Sequence, residues 1–225
     1  MNEFLFFFHI IFVLGLSWVF LKLGKSALTA WICLQAVLAN LFVLKQMVFL
    51  GFHITCSDVF AIGSILGLNL LREYFGKPSA KKALFACFFS MISFVIMAQI
   101  HLFYTPSPFD TTHDHYRQIL FDSPRLLAAS LFAFFIVQQL DLRFFNYLKT
   151  KSSKLSFAFR NLICLIISQS LDTLLFSFLG LWGLVFSIWD IVFVSFAIKL
   201  VIISVSSPLV ALSRRLIPLR EEVQQ

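Results

Sequence analysis

Charge is what this sequence has least of. Asp, Glu, Lys and Arg make up 13% of its 225 residues, where a soluble domain carries about 25%. That shortage excludes a water-facing globule, because there is too little polar surface to cover one. Cysteine is scarce as well. Cys33, Cys56, Cys87 and Cys164 lie in or beside apolar runs, and none has CxxC spacing. We therefore expect no disulfide and no metal site. No P-loop pattern occurs, so the chain is not expected to hydrolyse nucleotide, and no cofactor is implied. No HExxH spacing joins His9, His53, His101, His113 and His115. No Ser/His pair falls at matching depth either, which argues against an enzyme. The cluster His113–Asp114–His115 stands alone in a connecting segment and is a weak metal candidate. The longest connection, 105–125, is too short for a soluble domain.

What the sequence does have is hydrophobic residues, 60% of the total, including 30 phenylalanines, with a mean hydropathy of +0.90. An all-α integral membrane protein follows, in contact with the lipid bilayer. A crossing helix needs about 20 mostly apolar residues. Seven stretches qualify: 4–21, 27–49, 54–71, 82–104, 126–148, 159–181 and 189–212. The expected architecture is one transmembrane domain over 1–225, a polytopic helical bundle. Its six-helix core covers 27–212, with an extra N-terminal helix. That first stretch lacks a basic start and a small-residue cleavage site, so it reads as a retained helix. β-barrel strands would be shorter and would alternate in polarity.

The net charge of +7 does not call for nucleic acid, because its distribution explains it. Lys22 and Lys25, then Arg72, Lys77, Lys81 and Lys82, then Lys149, Lys151, Lys154 and Arg160, then Arg214, Arg215 and Arg220 fall in alternate connections. Lys and Arg collect on the cytoplasmic side. The expected orientation has the N-terminus outside and the C-terminus in the cytoplasm.

Against this background, intramembrane polar residues are informative. A charge at a helix centre costs roughly 2.5–3.5 kcal/mol on insertion scales. Two segments share the pattern Gln-x-x-Asp-x-x-x-Phe: Gln138, Asp141 and Phe145, then Gln169, Asp172 and Phe176. Each spacing puts amide, carboxylate and ring on one helix face. Lys199 lies in the last helix at nearly the same depth as Asp172, roughly 14 Å from the outer end at 1.5 Å per residue. An unpaired lysine there is costly, so an Asp172–Lys199 pair is expected. Asp141 would lie nearer the cytoplasm, freer to bind something else. Asn40 is central in the second stretch, while Lys45 near its outer end can snorkel. The plain alternative for such residues is interhelical glue, worth about 0.6 kcal/mol each. Two copies of one pattern plus a buried lysine favour a binding or transport site. For Glu73 beside Arg72, an interfacial ion pair is the simpler reading. Ser206, Ser207 and Pro208 read as a kink.

The stretches NLFVLK (40–45), LNLLREYFG (68–76), RLLAASLFAFFIVQQLD (125–141) and RNLICLIISQSLDTLLF (160–176), with Lys199 and the later SSP (206–208), resemble the queuosine-precursor transporter family, also called vitamin uptake transporters. The resemblance covers about 28–212. It implies import of 7-deazaguanine bases across the bacterial inner membrane for tRNA modification. It also implies substrate-binding roles for Asp141, Asp172, Gln138, Gln169, Asn40 and Lys199. Asn69 departs from the family, which usually carries Asp there. Such a base offers two adjacent N–H donors to a carboxylate and a carbonyl to a Gln amide. Its flat faces suit phenylalanine. A substrate-capture subunit that needs an energising partner is the alternative, docking through the basic segments. Proton coupling, facilitated diffusion and a homo-oligomer are all compatible with this reading.

Overall fold

The computed structural model describes residues 1–151 and 157–216. The side chains of 138, 141–151, 157–162, 165, 202, 203 and 205–216 lie outside the description. Expectations for Gln138, Asp141, Phe145, Arg160 and the 206–208 kink therefore fall outside the described side chains.

Long apolar runs become helices, since only internally satisfied backbone is stable in lipid. They are α1 (Asn2–Lys22), α2 (Lys25–Phe42), α3 (Asp58–Leu102), α5 (Ser123–Lys151), α6 (Phe157–Phe176) and α7 (Ile188–Leu216), with the short α4 (His113–Leu120) inside the connection 105–125. Among the described residues, four helical stretches are long and apolar enough to cross a membrane: Asn2–Lys22, Lys25–Phe42, Asp58–Leu102 and His113–Val137. A shorter apolar stretch covers Ile166–Leu181.

α3 is two arms. Gly76, at φ 81° and ψ 165°, breaks the helix, and Pro78 follows it. A side chain at that positive φ would be strained. The basic connection expected at 72–82 is therefore helical on both sides of one glycine. A glycine pair governs packing on the first arm. Gly63 and Gly67 lie one turn apart against α1 and α2. A Cβ on Gly63 would lie 2.6 Å from Val13 Cγ1, and one on Gly67 would lie 2.6 Å from Ile32 Cγ1. Small residues four apart let helix backbones approach closely. Leu66, Leu70 and Leu71 of this arm then join Val13, Leu21, Leu28 and Ile32 in the main apolar core. Buried polar groups also tie α1 to α2: Trp31 Nε1 donates to Ser17 Oγ at 3.0 Å, and Ser17 Oγ donates to the Val13 carbonyl at 2.8 Å.

One expected span is corrected. The stretch 27–49 is not one helix: α2 ends at Phe42, and β1 (Gln46–Phe49) and β2 (Phe52–Thr55) form an antiparallel hairpin. Leu50 and Gly51 connect them, both with positive φ, 50° and 87°, as a two-residue primed turn requires. Lys45, expected near a helix end, instead accepts the Cys56 amide on its carbonyl at 2.8 Å and extends the ladder. Side chains pin the hairpin at this end of the bundle. Leu50 N donates to Glu3 Oε1 at 3.2 Å, Phe186 N to Gln46 Oε1 at 2.9 Å, and His53 N to Asp190 Oδ2 at 2.9 Å.

Candidate functional site: a polar cavity beneath the hairpin

The same end of the bundle contains a cavity of about 190 Å³. That is below the about 300–1,000 Å³ of drug-sized sites, so a compact ligand fits best. Its walls come from α2 (Asn40), β2 (Thr55), the start of α3 (Ser57 and Asp58), the second arm of α3 (Met91), α5 (Ser130), α6 (Asp172, Thr173 and Phe176) and α7 (Ser195 and Lys199). None of its described lining comes from α1.

The 3.6-residue period explains which side chains arrive. On α6, Asp172 and Phe176 lie four apart on one face with Thr173 beside them, and Ser177 follows directly after the helix. On α7, Ile191, Ser195 and Lys199 repeat at four-residue steps. Beyond Phe176 the helix widens into a π-helical turn, Ser177–Leu181, a local form common at functional sites. Arg125 caps it from α5, donating through Nε to the Leu179 carbonyl at 3.1 Å and through a terminal nitrogen to the Trp182 carbonyl at 2.7 Å.

The pairing expected from depth is present. Lys199 Nζ donates to Asp172 Oδ2 at 2.8 Å and to Thr173 Oγ1 at 3.1 Å. Thr173 Oγ1 in turn donates to the Gln169 carbonyl at 2.9 Å. The Lys199 side chain is 16% exposed and that of Asp172 33% exposed. The pair is therefore half-open to the cavity rather than sealed in the core.

Asn40, Asp172 and Lys199 thus come together, while Gln169 and Asn69 are not among the described residues lining the cavity. Gln138 and Asp141 lie outside the described side chains. Sequence reasoning missed Asp58. It is buried and accepts a hydrogen bond from Ser195 Oγ at 2.9 Å. In sequence it follows Ser57 at the start of an apolar run, where an acid ordinarily favours a helix N-terminus. Nothing local distinguishes it from a helix-start acid; only the packing of α7 against α3 places it in the cavity wall. Asn40 carries a second unusual feature: its Nδ2 is buried with no hydrogen-bond partner among the described residues.

A multi-pass helical membrane protein with a compact, charged cavity between its helices belongs to the class of small-solute transporters. The comparisons agree with that class. The profile of the putative vitamin uptake transporters matches residues 55–213, and the chain belongs to that family. The probable queuosine precursor transporter of Bacillus subtilis (strain 168) is 28% identical over 186 residues, which is 80% of this chain and 81% of that protein. The chain is therefore a transporter and not an enzyme. No solved structure matches it.

Proposed function

We propose that this protein imports queuosine precursors, 7-deazaguanine bases such as queuine or its 7-aminomethyl and 7-cyano forms, across the bacterial inner membrane. The carrying observation is the cavity itself, which sets two carboxylates and one ammonium among apolar walls. Similarity to a probable queuosine precursor transporter supports that substrate class. The cavity volume suits a single flat base, and Phe176 offers a ring to its face.

In this reading the chain is one transmembrane domain crossing seven times: α1, α2, the two arms of α3, α5, α6 and α7. The N-terminus is outside and the C-terminus cytoplasmic, as the alternating Lys and Arg require. The hairpin then covers the outer end, and substrate enters beside it. Asp172 and Lys199 serve the inner part of the cavity. Asp141, Gln138, Gln169 and Asn69 are proposed for the onward path.

The test uses bacteria unable to make or import deazaguanines, expressing this chain and fed one precursor at a time. Queuosine in tRNA is the readout. Restoration by a precursor, lost in Asp172→Asn and Asp141→Asn at normal membrane levels, is expected. No restoration by any precursor, with the protein present in the membrane, overturns the substrate assignment. Uptake by the purified chain alone in proteoliposomes separates a self-sufficient carrier from a capture subunit that needs a partner.

A further inference from the structure

Lys199 already satisfies Asp172, through a 2.8 Å contact that Thr173 reinforces. Two other groups in the same cavity have no such match. Asp58 is buried, and among the described residues it accepts one side-chain hydrogen bond, from the Ser195 hydroxyl at 2.9 Å, and forms no ion pair. An ionised carboxylate has about four acceptor positions, and Ser195 fills one. Asn40 Nδ2 is the opposite case, a buried donor without an acceptor among the described residues. A buried polar group left unmatched costs about 1–3 kcal/mol. Both residues line the cavity, and their demands are complementary: one needs donors and the other needs an acceptor.

We infer that Asp58 and Asn40 read the amino-lactam edge of the substrate. The Asp58 carboxylate accepts the ring N–H and the exocyclic amine, and Asn40 Nδ2 donates to the adjoining ring carbonyl. Ser195 is a positioning residue that fixes one Asp58 oxygen and leaves the other to the ligand. Asp172 and Lys199 set the depth and charge of the cavity and do not read the base edge. The ligand class is a flat heterocycle with carbonyl, N–H and amine in a row. This inference rests on the proposed function and adds the residues that would confer selectivity.

Two features of the cavity favour this assignment over a general cation site. Two carboxylates face one ammonium, and Asp58 is the one without a paired cation among the described residues. The unmatched amide donor would gain nothing from a metal ion. A site built to hydrogen-bond an amine rejects an analogue lacking it by large factors, because its own buried group is then left unpaired.

The experiment measures equilibrium binding to the full chain in lipid nanodiscs. The probes are 7-cyano-7-deazaguanine and the same compound without its exocyclic amine. For the wild type we expect the amine to improve affinity on the order of a hundredfold. In Asp58→Asn that ratio falls to within about threefold, because an amide can no longer accept both N–H groups. Asn40→Leu weakens both compounds about tenfold and keeps the ratio. Ser195→Ala weakens binding by less than Asp58→Asn and retains most of the ratio. A wild-type ratio near one overturns the inference without any variant, so a misfolded Asp58→Asn does not rescue it. An undiminished ratio in folded Asp58→Asn also overturns it while the proposed function stands. A folded wild type that binds neither compound overturns both.

Discussion

Asp172 and Lys199 show how a single ion pair can be read from depth alone. Each is costly by itself in an apolar helix, and together they meet at 2.8 Å. Removing one partner leaves the other uncompensated. The expected loss in Lys199→Met is about 1.5–3 kcal/mol, the range for hydrogen bonds to charged groups. It falls short of the cost of a sealed ion pair, because a third of the Asp172 side chain is accessible. Asp172→Asn combined with Lys199→Met restores most of that stability, since no orphan charge remains. Thermal unfolding of the four proteins in detergent checks this as a double-mutant cycle. Additive losses would mean that the two residues do not couple. Asp58 is the counter-example at this scale. Its pattern, an acid beginning a helix, is ordinary, and its cavity position comes from α7, more than a hundred residues away in sequence.

Among the elements, the runs over 4–21, 126–148, 159–181 and 189–212 each fall within helical structure, and their apolar length alone suffices to place them. The run 27–49 does not, and the reason is local. Its last residues are apolar whether helical or extended, and Leu50–Gly51 lacks the Asn-Gly or Asp-Gly pair that signals a two-residue hairpin. The close approach at Gly63 and Gly67 is likewise a matter of neighbours. Gly67→Ala forces a methyl to 2.6 Å from Ile32 Cγ1 and is expected to destabilise the α2–α3 interface by about 1–3 kcal/mol. Ile32→Ala in the same chain removes the clashing group and should recover part of that loss. Melting temperatures of Gly67→Ala with and without Ile32→Ala test the packing directly; no recovery in the double variant would place the strain elsewhere.

At the scale of the whole molecule, α1 has two characters. It contributes nothing to the described cavity lining, and the family profile, which begins at residue 55, covers neither α1 nor α2. Yet Phe6, Val13 and Leu21 are buried in the main apolar core, and Glu3 and Asn2 bond the hairpin. Deleting residues 1–22 is therefore expected to lower the melting temperature and membrane yield. Affinity for ligand in the surviving folded fraction should stay within about threefold of the full chain, because the lining is intact. Binding per folded molecule, against melting temperature, separates the two effects.

The sequence by itself determined the environment, the helical class and the depth pairing of Asp172 with Lys199. Those follow from solvation: apolar length and the cost of a charge in lipid act on each segment wherever its neighbours are. The tertiary structure decided the rest. It turned the end of one apolar run into a hairpin and divided α3 at Gly76. It also brought Asp58, Asn40 and Ser195 to one cavity from three separate helices. Which groups face one another depends on how helices from distant parts of the chain pack. No local pattern of polarity carries that information.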